Sequence, residues 1–416
     1  MRTEDRRALF VMTVPSSGDS GPIAHWIIAA SWAAAARRVL GEAWVLSPEG
    51  VFSPEEASRQ GSRSALAPRA PRWWRGAIPP SVEIAIKDAR ELARARRLRR
   101  NLAGSLPGSH EVEFVWQYHA PFHWAGFEIA RRLKRPLILH VDAPQVWESR
   151  RWGVRRPGWG RLLEASGERP QFRAADLVVC PSEEIAEATR RRGADPGRIL
   201  VTPNGVDTTV FRPNGSRDGV RDRLGLGDRT IVGWVGSFRP FHGLSLLVET
   251  VAGLQRSHAG IALLLVGDGQ ERPRLEAIVR ERRMRDVVIT GTVTHEEVSS
   301  MIGAMDIAVL PAERDRDFHY SPIKLREYMA CGKAIVASHL GEIGGLLSDG
   351  LDALLVPAGD GDALTRAIER LANDSVLRQK LGAAARAKAV DELSWDRQLN
   401  RVRLALDQRS GSSVGA

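Results

Sequence analysis

Short apolar runs, each closing on a loop and followed by a helical pattern, restrict this chain more than any other feature. Thr230–Val235 and Ile261–Val266 are the clearest, ending at Gly236 and at Gly267-Asp268-Gly269. They are strand length, and the segments that follow have helical spacing. Val287–Thr290, Asp306–Leu310, Ala334–Ala337 and Ala353–Val356 continue the series. The second half therefore reads as a parallel sheet of about six strands with connecting helices. The first half repeats the logic. Ala8–Val14 is a strand, residues 15–21 a loop, Ile23–Leu40 a helix and Ala43–Leu46 a second strand. Glu111–Trp116, the run around 136–142, Asp176–Cys180 and Ile199–Thr202 follow. The stretch 53–80 reads as irregular, and Ser81 as the cap of a helix to about Arg100.

The fold class is thus α/β, with two parallel-sheet domains facing each other across a cleft. Pro213-Asn214-Gly215-Ser216 looks like the linker. The expected division is 1–212, 213–394, and a C-terminal segment 395–416. That segment is an amphipathic helix, Trp395–Gln408, that could pack back on the first domain, and a disordered-looking tail from Ser410.

Composition excludes several classes. Cys180 and Cys331 are the only cysteines in 416 residues, which leaves no disulfide framework and no cysteine zinc site. The apolar run at the start is too short for a signal-peptide core, and no stretch reaches membrane-spanning length. A cytoplasmic protein is expected, with peripheral contact at the inner membrane face as the alternative. The net charge of +10 suggests nucleic acid, but no zinc-finger spacing, ribonucleoprotein motif or basic tail accompanies it. A phosphorylated substrate or an anionic membrane explains the charge as well. The membrane reading draws on Arg69, Arg72, Trp73, Trp74 and Arg75 with the arginines 94–100.

The stretch Ser321–Lys333 carries the most chemistry. Ser321 in the N-cap position and Pro322 in the first turn open a helix whose free N–H groups favour an anion. Lys324 and Glu327 follow one turn apart on the same face. A carboxylate there can accept both hydroxyls of a vicinal diol, so phosphate and ribose together suggest a nucleoside diphosphate. In the first half, His119, His123 and Trp124 lie at a strand's C-terminal end, where α/β proteins place ligands. No G-x-G-x-x-G is present, so a dinucleotide fingerprint is not supported. Asp315-Arg316-Asp317 has the form of a metal-binding D-x-D, but solvated loop charges explain it too.

Taken in order, several stretches resemble glycosyltransferase family four, retaining enzymes of the GT-B fold. Gly21-Pro22-Ile23-Ala24-His25 is similar to the family's Gly-Gly-Ile loop. Thr202–Asp207 with Phe211 resembles its Pro-Asn-Gly-Val-Asp…Phe turn. Val266–Gly269 resembles its Val-Gly-x-Gly strand end, and Glu327–Lys333 its Glu-Ala-Met-Ala-Cys-Gly-Lys. The resemblance implies a nucleotide-sugar donor, UDP- or GDP-linked, on the C-terminal domain and a hydroxyl acceptor on the N-terminal one. It implies no cofactor and no metal. Gly21, Gly267, Ser321, the Pro322–Ile323 turn, Lys324 and Glu327 are then donor contacts, with Glu327 on the ribose. The acceptor belongs to cell-surface polysaccharide, glycolipid or natural-product glycoside synthesis. An epimerase or phosphorylase on the same fold, or a non-catalytic binding protein, are the alternatives.

The chain departs from the family pattern at three places. Ser237 and His242 stand where the family has Arg and Lys, so Arg239 becomes the expected diphosphate cation, with Lys324 in support. His319 replaces the first Glu of the Glu-x7-Glu pair. The family's catalytic His aligns with Asp142, and His140 lies two residues earlier; either could touch the reacting sugar.

Overall fold

The computed structural model describes residues 6–13, 23–66, 79–101, 112–151, 153–213, 217–258, 260–313 and 321–412. The chain forms two compact units, Met1–Asn204 with Trp395–Ala416, and Gly205–Ser394. Unit 1 begins β1 (Arg6–Val11), α1 (Ile23–Leu40), β2 (Gly41–Ser47), β3 (Gly50–Phe52), α2 (Pro54–Leu66) and α3 (Pro80–Asn101). It continues β4 (Val112–Tyr118), α4 (Ala125–Leu133), β5 (Leu137–His140), α5 (Gln145–Arg151) and α6 (Trp159–Leu163). A π-helical turn (Glu164–Glu168), α7 (Arg169–Ala174), β6 (Leu177–Cys180), α8 (Glu183–Arg190) and β7 (Ile199–Val201) follow. Unit 2 begins α9 (Arg217–Arg223), β8 (Thr230–Val235), α10 (Leu244–Ser257), β9 (Ile261–Val266), α11 (Arg272–Glu281) and β10 (Val287–Ile289). It continues α12 (His295–Ala304), β11 (Ile307–Leu310), α13 (Ile323–Ala330), β12 (Ala334–Ser338) and α14 (Gly341–Leu346). β13 (Leu354–Val356), α15 (Gly361–Asn373) and α16 (Ser375–Glu392) close unit 2, and α17 (Trp395–Ser412) returns the chain to unit 1.

The first sheet has the order β3-β2-β1-β4-β5-β6-β7, parallel except for the edge strand β3. The second has the order β10-β9-β8-β11-β12-β13 and is parallel throughout. The strand order reverses once in each sheet, between β1 and β4 and between β8 and β11. In open α/β sheets those reversals open a crevice at the strands' C-terminal ends. In β9, Ala262, Leu264 and Val266 pack into one buried cluster and Ile261, Leu263 and Leu265 into another. Both faces of this sheet are covered, which is why its strands are continuous apolar runs.

Three expectations are corrected. The boundary falls at Asn204/Gly205 rather than 212/213. Val206 donates to Leu393 at 2.8 Å and Phe211 is buried in unit 2's core, where Arg386 holds the carbonyls of Thr208 and Phe211. The region 53–80 is not irregular throughout, since α2 occupies Pro54–Leu66. Ser53 and Glu56 bond reciprocally across its first turn, a capping box that the Pro- and Arg-rich context obscured. The final helix runs on to Ser412, past the expected start of the tail. It is anchored on unit 1 by Arg38–Asp396, Thr202–Gln398 at 2.8 Å and Arg403–Glu113 at 2.6 Å. Among the described residues no helix is long and apolar enough to cross a membrane.

Candidate functional site

Unit 2 gathers its polar residues at the β8/β11 reversal. The loops after β8 and β9 meet there because both are built on glycine. A Cβ on Gly267, which has φ 136°, would stand 1.9 Å from the Gly236 carbonyl oxygen. One on Gly269 would stand 2.6 Å from that of Phe238. Phe238 also donates to the Asp268 carbonyl at 2.9 Å, tying the loops together. Gly267 thus shapes the floor of the site by letting backbone approach backbone.

α13 enters this floor from the other side of the reversal. Ser321 is not its N-cap: Pro322 is the cap residue, and no side-chain cap bond forms. Ser321 is buried one residue earlier. Proline has no N–H, so the free amides at this start are those of Ile323 and Lys324, while Leu325 N–H already bonds the Pro322 carbonyl at 3.1 Å. The helix is fixed from within the core. The Tyr328 hydroxyl accepts from Val235 N–H at 2.8 Å, and the fully buried Arg326 donates to the Pro322 carbonyl at 3.2 Å and pairs with Glu342.

That anchoring presents Lys324 and Glu327 together. The Lys324 ammonium lies over the Trp234 ring, 3.8 Å from its centroid. It is close enough to Gly236 that a Cβ there would come within 2.6 Å of Nζ. Burial pushes the Lys324 pKa down to about 7, against the pull of Glu327. It pushes Glu327 up to about 7, against the pull of Lys324. A cation and a carboxylate are therefore desolvated one turn apart, beside a backbone floor and two free amides.

The two substituted loop positions, Ser237 and His242, and the nearby Arg239 belong to the loop after β8. Ser237 is exposed. His242 is buried, donates from Nδ1 to the Ser237 carbonyl at 2.7 Å, and is pushed well below its ordinary pKa by burial and then by Lys324. A neutral, inward-facing His242 does not replace the charge of a lysine there. Arg239 is exposed on the same loop and has no side-chain partner among the described residues. Among the described residues Lys324, on α13, is the cation that the structure sets against this floor, whereas Arg239 stands exposed on the loop. Gly21 and His319 lie outside the described residues, as do Trp73, Trp74 and the Asp315-Arg316-Asp317 triplet.

Unit 1 builds a different cluster at the β1/β4 reversal. Asp142 follows β5, and its carboxylate accepts from His140 Nε2 at 2.9 Å and faces His25 Nε2 at 3.2 Å. Burial raises the Asp142 pKa, but His140, then His25 and His119, outweigh it and hold the carboxyl below its usual range. The His140 side chain is 1% exposed, stacked 4.5 Å from the Tyr118 ring; Asp142 and His25 are 25% and 33% exposed. Of the two residues left open by the sequence, Asp142 faces outward and His140 positions it. His25, on the first turn of α1, is a member that sequence reasoning missed as a site residue, although it stood in the quoted Gly21–His25 motif.

The expected acceptor residues mostly point inward. The His123 side chain is fully buried and bonds Glu91 at 2.8 Å. The His119 side chain is 2% exposed, 4.0 Å from Glu168, and burial lowers its pKa to about 3. Their strand-end position was read correctly, but both residues follow β4 in a loop, and the loop turns their rings into the core. Trp124 is half-buried with its ring 4.7 Å from Phe127. Glu168, wholly buried, is raised to about 7 by desolvation. No group of three or more His, Cys, Asp or Glu suited to a metal occurs among the described residues.

A profile described as Glycosyltransferase Family 4 matches residues 29–210, and one described as Glycosyl transferases group 1 matches 229–374. The chain is 27% identical to a D-inositol 3-phosphate glycosyltransferase of Streptomyces bingchenggensis over 77% of its length and 76% of that protein's. It is 29% identical to a GDP-mannose-dependent alpha-(1-6)-phosphatidylinositol monomannoside mannosyltransferase of Mycolicibacterium smegmatis, over 70% of the chain and 75% of the relative. An alpha-D-kanosaminyltransferase of Streptomyces kanamyceticus is 29% identical over 52% of the chain, which spans only 56% of that relative. The fold is shared with HepE of Anabaena in complex with UDP, at TM-score 0.66 and 16% identity over 97% of this chain and 100% of that one. It is also shared with a sucrose-phosphate synthase of Thermosynechococcus elongatus, at TM-score 0.66 and 19% identity over 98% and 100%. These relatives are transferases and synthases, so the epimerase, phosphorylase and non-catalytic alternatives are not favoured. With both halves matched and both sheets in place, the chain belongs to glycosyltransferase family four, a retaining glycosyltransferase of the GT-B fold that moves a sugar from a nucleotide-sugar donor to an acceptor.

Proposed function

We propose that unit 2 holds a UDP- or GDP-sugar through the Lys324–Glu327 pair. The observation that carries this reading is the desolvation of both side chains, one turn apart, at a glycine-built floor. The diphosphate receives the Ile323 and Lys324 amides and the Lys324 ammonium. Charge developing on the leaving diphosphate is thereby stabilised by groups already in place. Glu327 accepts the ribose hydroxyls. Gly267 shapes the floor. Asp142, oriented by His140 and paired with His25, faces the reacting sugar or its acceptor. This assignment needs no cofactor beyond the donor itself. The UDP in a complex of the same fold and the GDP-mannose dependence of one relative support a nucleoside diphosphate and leave the base to experiment.

Calorimetry with UDP, GDP, ADP and TDP and their sugars tests the reading. One nucleotide should bind, and Glu327→Gln should weaken it at least tenfold, as the loss of charge-assisted bonds to a diol implies (about 1.5–3 kcal/mol). Unchanged affinity in that variant overturns the Glu327 role.

We also propose that α3 rests on an anionic membrane. Val82 and Ile86 are 43% and 42% exposed one turn apart, and Arg90, Arg96 and Arg97 extend the same outer surface. An apolar stripe running into arginines suits a headgroup boundary. Flotation with phosphatidylglycerol vesicles should recover the protein, and Val82→Ser/Ile86→Ser should lower that recovery; equal recovery removes the proposal.

A further inference from the structure

Unit 1 carries a polar concavity whose lining includes no member of the Asp142 cluster. It lies among the C-terminal end of α5, α6 with the π-helical turn, and α8, and holds about 810 Å3. That is the size of a small-molecule site. Six arginines and three glutamates line it.

The carboxylates are already engaged. Glu184 pairs with Arg151, Glu187 with Arg191 at 2.7 Å, and Glu164 with Arg169 at 2.7 Å. Arg150 and Arg161 have no carboxylate among the described residues. Arg192 is 12% exposed; its Nε lies 3.4 Å from Glu164 but has no hydrogen-bond partner. Burial lowers its pKa, and the Arg150 and Arg169 charges add to that against Glu164 and Glu168. Arginines near helix C-termini gain a few tenths of a kcal/mol from the dipole. That accounts for their presence on three helices, but not for their convergence on one cavity with a third guanidinium desolvated between them. Guanidinium forks crowded this way match the oxygens of a phosphate.

We propose that this cavity binds a phosphate-bearing ligand, as a phosphomonoester or diphosphate group, at a place separate from the donor. Arg150 and Arg161 supply the free forks, and Arg192, whose Nη1 already donates to the Ala188 carbonyl at 2.7 Å, supplies a buried charge. Trp147, with the Arg151 guanidinium 4.9 Å from its ring centroid, gives the wall against which the rest of the ligand lies.

The test is a calorimetric titration of the full chain with pyrophosphate while the nucleotide site is saturated with its diphosphate. The wild type should still bind pyrophosphate. Arg150→Gln/Arg161→Gln should lose at least tenfold in that affinity and bind nucleotide as before. Both residues are exposed, so the fold should tolerate the change. A control pair on the same unit, Arg131→Gln/Arg135→Gln, should bind like the wild type. No binding by the nucleotide-saturated wild type, or equal losses in the two double variants, overturns the proposal. A chain that binds no nucleotide at all fails the donor assignment instead, and the pyrophosphate titration is then read without saturation. Farnesyl diphosphate separates the sources: affinity equal to pyrophosphate indicates a soluble phosphorylated ligand, and tenfold tighter binding a lipid-linked one.

Discussion

The two units use the same position, the reversal point of a parallel sheet, to opposite electrostatic ends. In unit 1 the Asp142 carboxylate is held ionised by His140 and His25. In unit 2 Lys324 and Glu327 are both driven towards neutrality by burial, each the other's main relief. In the first cluster the carboxylate already has its partners, although His25 and His140 each keep a buried Nδ1 without one. The other is a pair whose charges are under-solvated until something polar arrives. On the proposed assignment a diphosphate would restore the ammonium, and a diol the carboxylate. On the proposed donor assignment, binding in unit 2 should therefore shift the protonation of its pair.

The largest effect should come from breaking unit 2's half of the contrast. Lys324→Met removes the cation set against the floor and should weaken nucleotide binding roughly a hundredfold, the upper end for a charge-assisted contact. Titration calorimetry reads it, and a loss under threefold would return the diphosphate to Arg239. Asp142→Asn makes the opposite pattern in unit 1. It should leave nucleotide affinity within about twofold while lowering kcat by roughly 100-fold or more, as loss of an oriented polar group at the reacting centre does. Equal losses in affinity and turnover would place Asp142 with the donor.

Much of this was legible in the sequence, for physical reasons. β9 and β11 could be read because a sheet covered on both faces requires unbroken apolar runs. Glu327 could be read because helix spacing fixes it relative to Lys324. Lys324's dominance could not. It depends on Trp234 and Gly236, which are distant in sequence and meet it only in the folded unit. His119 and His123 were placed at the correct strand end but on the wrong side of the wall, because position along a loop does not fix ring direction. His25 was obscured for the same reason: only the fold brings the start of α1 to Asp142. The boundary at Gly205 rests on Phe211 and Arg386, again a tertiary fact.

A smaller effect sharpens the comparison through pH. Glu327's folded pKa lies above its ordinary 4.5, so the folded chain binds the extra proton and stability falls as pH rises from about 4.5 to 7. Lys324's lies below its ordinary 10.5, so the unfolded chain binds more protons above 7 and stability rises from there towards 10.5. The pair's cost therefore peaks near neutrality. Lys324→Met/Glu327→Gln, without nucleotide, should melt higher than the wild type by roughly 2–4 °C near pH 7. The gap should narrow towards pH 5 and pH 9. Added nucleotide should raise the wild-type midpoint and not the variant's. A gap independent of pH would mean the pair is already solvated.

The smallest effect distinguishes the two cations offered to the same diphosphate. Arg239 is exposed on the loop after β8, while Lys324 is half-buried against Trp234. An exposed charge is screened within about 10 Å at 0.1 M salt, whereas a desolvated one is screened much less. Arg239→Ala should therefore cost about threefold in nucleotide affinity at low salt and almost nothing at 0.5 M. The Lys324→Met loss should persist at both. Lys333 is no neutral reference for either, because its ammonium bonds the carbonyls of Gly303 and Met305 at 2.7 and 2.9 Å and its removal should loosen α12 from α13's far end. If the Arg239 loss instead survives high salt at the size of the Lys324 loss, the loop closes over the diphosphate and buries Arg239 there. The charge missing from Ser237 and His242 would then be restored from the loop as well as from α13.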